Sequence, residues 1–257
     1  MTHHPSPQGR LSDFQVPQLL AGRRAIITGA ARGIGKAIAD TFEQAGASVV
    51  RLDIRSSDVV LECDVSDEAS VARAFSEAAN SGPINDVIHA AAIASTSRIA
   101  ETPLADFRRM IDVNLTGAFL IAREATRHLK RGSNLVLVAS QYGLKGWPLW
   151  GPYCASKAGV LRLADSLVGE LAGDGIRVNT ISPGSVDTEM VAATTAEVAR
   201  QSGTSAEAIR SQYEAAIPMG RFARPEEIAY AAVTICSGLF SYVNGANIVV
   251  DGGELSR

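Results

Sequence analysis

Six short β-branched runs are strung along the chain with stretches of helical periodicity between them: AIIT from residue 25, ASVVRLD from 47, DVIHAAA from 86, NLVLVAS from 134, IRVNTIS from 176 and NIVV from 247. Runs this short and this uniformly apolar predict strands buried on both faces, the pattern of a parallel sheet covered by helices. Between the first two, Ile34, Ile38 and Phe42 recur at helical spacing, and the AGA at 45–47 ends that helix with a glycine. The alternation continues almost to residue 257. It predicts an α/β fold, a doubly wound sheet of about seven mostly parallel strands with helices on both faces, one of them a short third strand before CDVSD at 63. A chain of 257 residues with 46 % hydrophobic content can bury one large core, so a single domain over 21–257 is expected. Two regions fall outside the rhythm. The Pro-containing residues 1–20 read as a flexible arm, and 188–219, between a strand and a helix and with helical patterns of its own, reads as a substrate lid.

Charge and composition remove several function classes. A net charge of −3 with both signs interspersed offers no basic stripe for nucleic acid and no polybasic patch for a membrane. No run approaches the roughly 18 to 20 apolar residues that cross a bilayer, and the first residues lack a secretory signal pattern, so a soluble, cytoplasmic protein with small-molecule partners is expected. Cys63, Cys154 and Cys236 stand apart, with no CxxC and no histidine at ligand spacing. They read as buried, inert thiols, with no metal site.

TGAARGIG, residues 28–35, places glycines where the first strand turns into the first helix. In an open parallel sheet, ligands bind beyond the carboxyl ends of the strands, and there the free amides and partial positive charge of a helix N-terminus suit a pyrophosphate. Gly29 can make the tight turn, Gly33 lets phosphate approach the backbone, and Gly35 lets the helix lie close to the sheet. Arg32 and Ile34 complete this cradle. Without a ligand the same residues would be a plain small-residue turn. Asp53 ends the second strand, 20 residues after Gly33. Its carboxylate can accept from adenosine ribose hydroxyls and repels a 2′-phosphate, which favours NAD over NADP, although a solvated strand-end aspartate would look the same. Asp64 and Val65 are expected beside the adenine. Arg32 and Arg55 pull toward NADP, because an arginine can pair with a 2′-phosphate.

With these motifs the chain, from about residue 22 onward, resembles the short-chain dehydrogenase/reductase family. TGAARGIG is similar to its TGxxxGxG turn, NLTG at 114 to its helix asparagine, VAS ending at Ser140 to its strand-end serine, and YCASK at 153 to its YxxxK. SPGSVDT at 182 and VNGANIVVDGG at 243 resemble its PG motif and its last strand. The resemblance implies a Rossmann-type fold, a nicotinamide cofactor, and Asn114, Ser140, Tyr153 and Lys157 as the catalytic set. It also implies that Asn114 holds a water in a proton relay to Lys157, and that Lys157 grips the nicotinamide ribose. Pro183, Gly184, Val186 and Thr188 should flank the nicotinamide, and helix packing across a twofold axis should give a homo-oligomer, a dimer or tetramer. One departure stands out: where the family reads NNAG, this chain has HAAA, so His89 replaces an asparagine. Ala90 and Ala91 keep room for the adenosine ribose, and His89 reads as a buried, hydrogen-bonded support within the cofactor site.

The chemistry follows from the spacing. Tyr153 and Lys157 lie one helical turn apart, on one face. A phenol with a pKa of about 10 is a poor base at neutral pH. An ammonium roughly 4 Å away contributes about 4 kcal/mol of attraction to the phenolate at an effective dielectric near 20, before desolvation, so a lowered tyrosine pKa is expected. Tyr153 could then take a hydroxyl proton as hydride leaves carbon, while Ser140 positions the substrate oxygen. Gln141, Tyr142, Trp147, Trp150 and Met190 are candidate walls of the substrate pocket. The lid mixes polar and small apolar residues, which suits a polyol, sugar or small cyclic alcohol. The expected function is an NAD-dependent oxidoreductase interconverting a secondary alcohol and a ketone. An NADPH-dependent ketoreductase and a catalytically silent nucleotide sensor are the alternatives.

Overall fold

The computed structural model describes residues 17–256. Among these, strands β1 (Arg24–Thr28), β2 (Ser48–Asp53), β3 (Leu61–Glu62), β4 (Asp86–His89), β5 (Asn134–Val138), β6 (Arg177–Pro183) and β7 (Asn247–Val250) form one parallel sheet in the order β3-β2-β1-β4-β5-β6-β7. Helices α1 (Gly33–Gln44), α2 (Glu68–Asn80), α3 (Leu104–Ile111), α4 (Gly117–His128), α5 (Gly151–Leu171), α6 (Glu189–Ser202), α7 (Ala206–Ala216) and α8 (Pro225–Cys236) complete it.

The sheet separates two cores. Alternate strand residues face opposite ways, so Ile26, Leu135 and Leu137 pack with Phe75 of α2, Ile121 of α4 and Val160 of α5. Ile27, Val136 and Val138 pack on the other face with Ile38 and Phe42 of α1 and Ile228 of α8. Strands β1, β4, β5 and β6 are buried along nearly their whole length, whereas β2 and β7 are partly exposed because they lie toward the sheet's edges. The chain runs from β1 outward to β3, then returns to add β4 on the other side of β1. That reversal opens a crevice at the carboxyl ends of β1 and β4.

Residues 1–16 of the expected arm lie outside the described residues. Its last four belong to the fold instead. Leu20 is wholly buried in the α1–α8 core and its amide donates to the Ala45 carbonyl at 2.9 Å, because the end of α1 leaves an apolar gap that this leucine fills. At the opposite end of the sheet from the crevice, Arg23 forms a two-pronged pair with fully buried Asp86 at 2.7 and 2.6 Å, and Asn134 donates to the same carboxylate at 2.6 Å.

Candidate active site

A cleft of about 530 Å³ runs across the carboxyl ends of the strands. From the β1–β2 side it is lined by Gly29, Arg32, Gly33, Ile34, Gly35 and Asp53, and beside them by Asp64, Val65, Ala90 and Ala91. Pro183, Gly184, Val186, Thr188 and Met190 line it from the β6 side. The glycine turn is this tight because nothing larger fits. Gly29 has φ +68°, and a Cβ there would stand 2.8 Å from the Ala91 backbone. A Cβ on Gly35 would collide with the Gly29 carbonyl oxygen. Asp53 is fixed by two backbone amides, with Oδ2 accepting from Ala31 at 3.1 Å and Oδ1 from Arg55 at 3.0 Å. A carboxylate has about four acceptor positions, so two of them stay open toward the cleft.

Ser140, Tyr153 and Lys157 reach the same cleft wall from the end of β5 and the first turns of α5. Lys157 is fully enclosed and donates to the Val138 carbonyl at 2.8 Å, and its Nζ lies 5.8 Å from the centre of the Tyr153 ring. Burial pushes the Tyr153 phenol up to about 12, with the Ser140 hydroxyl pulling the other way, and pushes the Lys157 ammonium down to about 8. The lowered tyrosine pKa expected from the helical spacing is therefore not a property of the chain's own groups. Desolvation exceeds the attraction, and the ammonium is turned to a carbonyl instead of the phenol.

A family model described as enoyl-(acyl carrier protein) reductase matches residues 29–254. The chain is 40% identical over 254 residues to the short-chain type dehydrogenase/reductase y4vI of Sinorhizobium fredii, a match covering 93% of this chain and 45% of that longer one. It is 35% identical over 252 residues to D-threitol dehydrogenase of Mycolicibacterium smegmatis, covering 91% of this chain and 93% of the relative. The ligand-free aldohexose dehydrogenase of Thermoplasma acidophilum superposes with a TM-score of 0.86 at 28% identity, over 93% and 96% of the two chains. The chain belongs to the short-chain dehydrogenase/reductase family. Its dehydrogenase relatives make the chain an oxidoreductase acting on CH–OH groups, and the family uses a nicotinamide cofactor.

In this short-chain dehydrogenase/reductase several expected site residues stand behind the cleft. The Asn114 amide bridges two segments: Oδ1 accepts from Ile93 N at 2.8 Å, and Nδ2 donates to Ile93 O at 2.9 Å and Ser156 Oγ at 3.1 Å. A π-turn over Asp112–Thr116 aims this side chain at the segment after β4, so it clamps backbone there. His89 is also buried and off the cleft wall. Thr28 Oγ1 accepts from Ala90 N and Ala91 N at 3.1 and 3.2 Å, so its single proton goes to His89 Nδ1 at 2.9 Å, and the imidazole carries its own proton on Nε2. His89 thus supports the turn that bears Ala90 and Ala91, and burial holds it neutral with a pKa of about 3.

Of the expected substrate wall, Met190 lines the cleft, and Gln141, Tyr142, Trp147 and Trp150 stand in the layer behind it. Tyr142 stacks on Trp150 with ring centres 4.6 Å apart, Trp147 meets Tyr142 edge-on at 5.5 Å, and Trp150 meets Tyr153 at 5.6 Å. These rings pack on one another and on Met110, a backing for Tyr153 outside the lining of the cleft itself. Gln141 is fully buried, with its amide nitrogen given to Glu254 Oε2 at 2.9 Å. Cys63 and Cys236 are buried, but Cys154 is only partly so.

Sequence reasoning missed Arg108, Arg109 and Val113, which line the cleft from α3 and the π-turn. Arg109 and Val113 are one turn apart on the face next to Asn114, so the motif asparagine was the available signal. It also missed Glu189, whose carboxylate meets Arg32 at 2.5 Å and ties α6 to the glycine turn. Among the described residues no cluster of His, Cys, Asp or Glu is arranged to hold a metal, and no helix is long and apolar enough to cross a membrane.

Proposed function

We propose that this chain is an NAD-dependent dehydrogenase that interconverts a secondary alcohol and a ketone, with a polyol, sugar or small cyclic alcohol as substrate. One observation carries the reading: Ser140, Tyr153 and Lys157 line the same cleft as the glycine turn and Asp53. The names of two similar proteins, a threitol dehydrogenase and an aldohexose dehydrogenase, support the polyol and sugar class.

The residues present fit a dinucleotide. The cradle at Gly29 and Gly35 has no room for a Cβ, and the open acceptors of Asp53 suit ribose hydroxyls. Gly33, Ile34 and Arg32 would hold the pyrophosphate, Asp64, Val65, Ala90 and Ala91 the adenosine, and Pro183, Gly184, Val186 and Thr188 the nicotinamide. Bound NAD supplies the hydride acceptor. Tyr153 holds the transferable proton on its phenol oxygen and Ser140 orients the substrate oxygen against it. Lys157 adds positive charge beside them, and Asn114 keeps the Ile93 backbone in place. Because Tyr153 is protonated at neutral pH, it stands ready as the acid for ketone reduction, and alcohol oxidation rises with pH as the phenolate fraction grows. The helical pair α6 and α7 acts as a lid over the substrate, and the family's twofold packing makes the assembly a dimer or tetramer.

The second reading, NADPH-dependent ketone reduction, is favoured by Arg55 and Arg109, cleft-lining cations with no carboxylate partner among the described residues. Kinetics with both nucleotides tests the choice. A lost hydrogen bond and a charge clash at Asp53 are each on the order of 1 to 3 kcal/mol, so kcat/KM should favour NAD by roughly tenfold to a thousandfold. Asp53→Ser should narrow the gap, and Tyr153→Phe should remove turnover while leaving NAD affinity within a few-fold. A higher kcat/KM with NADP would reject the NAD assignment, and normal kcat in the phenylalanine variant would reject the mechanism.

A further inference from the structure

One residue beyond Ser140, three distant segments of chain meet. Gln141 Nε2 donates to Glu254 Oε2 at 2.9 Å, joining the end of β5 to the helical turn Glu254–Ser256. Asp251 holds that turn by accepting from Gly253 N and Leu255 N at 2.8 and 2.9 Å. Tyr213 of α7 lies within the electrostatic field of Glu254, and Tyr142 lies within that of both. The Tyr142 ring stands edge-on to Tyr153 at 5.9 Å, so this group of polar side chains adjoins the Tyr153 ring directly.

The group has more acceptors than donors. Glu254 has no arginine or lysine partner among the described residues, and burial together with Asp251 raises its carboxyl pKa. Gln141 is wholly buried, yet its Oε1 has no hydrogen-bond partner and lies 3.2 Å from where a Cβ on cleft-lining Gly184 would stand. A carboxylate and an amide oxygen short of donors, beside the residues expected to hold an alcohol, are complemented by further hydroxyl groups.

We propose that Glu254, positioned by Gln141, forms a subsite that binds a second hydroxyl of the substrate. This rests on the alcohol dehydrogenase reading and sharpens it: the enzyme selects diols and polyols over alcohols with a single hydroxyl. Gln141 acts through Glu254, as a positioning residue.

The test compares kcat/KM for cyclohexanol, cyclohexane-1,2-diol, cyclohexane-1,3-diol and 2-aminocyclohexanol, with NAD and with NADP. It is read as the ratio of diol to cyclohexanol, so that a general change in activity cancels. A hydrogen bond to a charged acceptor corresponds to about tenfold or more, so the better diol should exceed cyclohexanol by at least that factor. Glu254→Gln and Gln141→Ala should both pull the ratio toward one. A wild-type ratio near one, which needs no variant to fold, overturns the subsite and leaves the dehydrogenase reading intact. So does a ratio that Glu254→Gln does not change. Preference for the amino alcohol over both diols overturns it in favour of a cation site. Turnover of none of the four with either nucleotide overturns the cyclic-alcohol part of the dehydrogenase reading, and the subsite for cyclic diols with it.

Discussion

At the scale of the residue, His89 and Lys157 are both buried bases whose charge the protein disfavours. His89 titrates at about 3 in the folded chain and near 6.5 unfolded, so in that window the unfolded state binds more protons and stability falls as pH drops. His89→Asn can keep an acceptor for the Thr28 hydroxyl while removing the titration. Its acid unfolding midpoint, followed by circular dichroism, should move to lower pH. Lys157, lowered to about 8 from an ordinary value near 10.5, works in the alkaline range: stability increases as pH rises from about 8 toward 10.5. Lys157→Met should raise the unfolding free energy at pH 7 by on the order of 1 to 3 kcal/mol in urea titration, flatten that alkaline rise, and abolish turnover. The sequence marked Lys157 correctly for the cleft but could not reveal its carbonyl partner, 19 positions away. Gly29, Asp53, Ser140 and Tyr153 were legible because strand ends and a helical turn set their directions. His89 was legible as a buried, hydrogen-bonded support, whereas the partners of Asn114 and Gln141 were not, because they lie remote in the chain, and Glu254 was invisible from Gln141, 113 positions earlier.

Among the elements, α1 shows most clearly how geometry limits sequence. Its first turn lies so close to β1 that Gly35→Ala must push the helix off the Gly29 carbonyl, which is backbone and cannot rotate away. The variant should lose dinucleotide binding at least tenfold by fluorescence titration and unfold several degrees lower, whereas Lys36→Ala on the exposed side of the same turn should change neither. The strands were legible wherever both faces are buried. β3 was only a short expectation, and with two residues it lacks a periodicity to read. The stretch from 188 onward was legible as more than a loop, since Thr188 and Ser205 cap α6 and α7 with their hydroxyls. The contact of α6 with Arg32 was not, because neither residue belongs to a pattern that predicts the other.

In the whole molecule, the sheet is pinned at the end away from the cleft by Arg23, Asp86 and Asn134. Asp86→Ala leaves the Arg23 guanidinium, three-quarters enclosed, without its carboxylate, and should cost about 3 to 5 kcal/mol in chemical denaturation. Because the pair is remote from the cleft, NAD affinity of the fraction that stays folded should be unchanged. The strand order has a consequence for synthesis. Strand β1 lies inside the finished sheet, yet its second neighbour, β4, begins only at Asp86, more than twenty residues after β3 ends at Glu62. As the chain leaves the ribosome at roughly 5 to 20 residues per second, the half-sheet β3-β2-β1 therefore spends roughly one to five seconds with an apolar inner strand as an open edge. That interval, more than any weakness of the finished protein, is when a nascent chain of this topology is most open to pairing with a wrong strand.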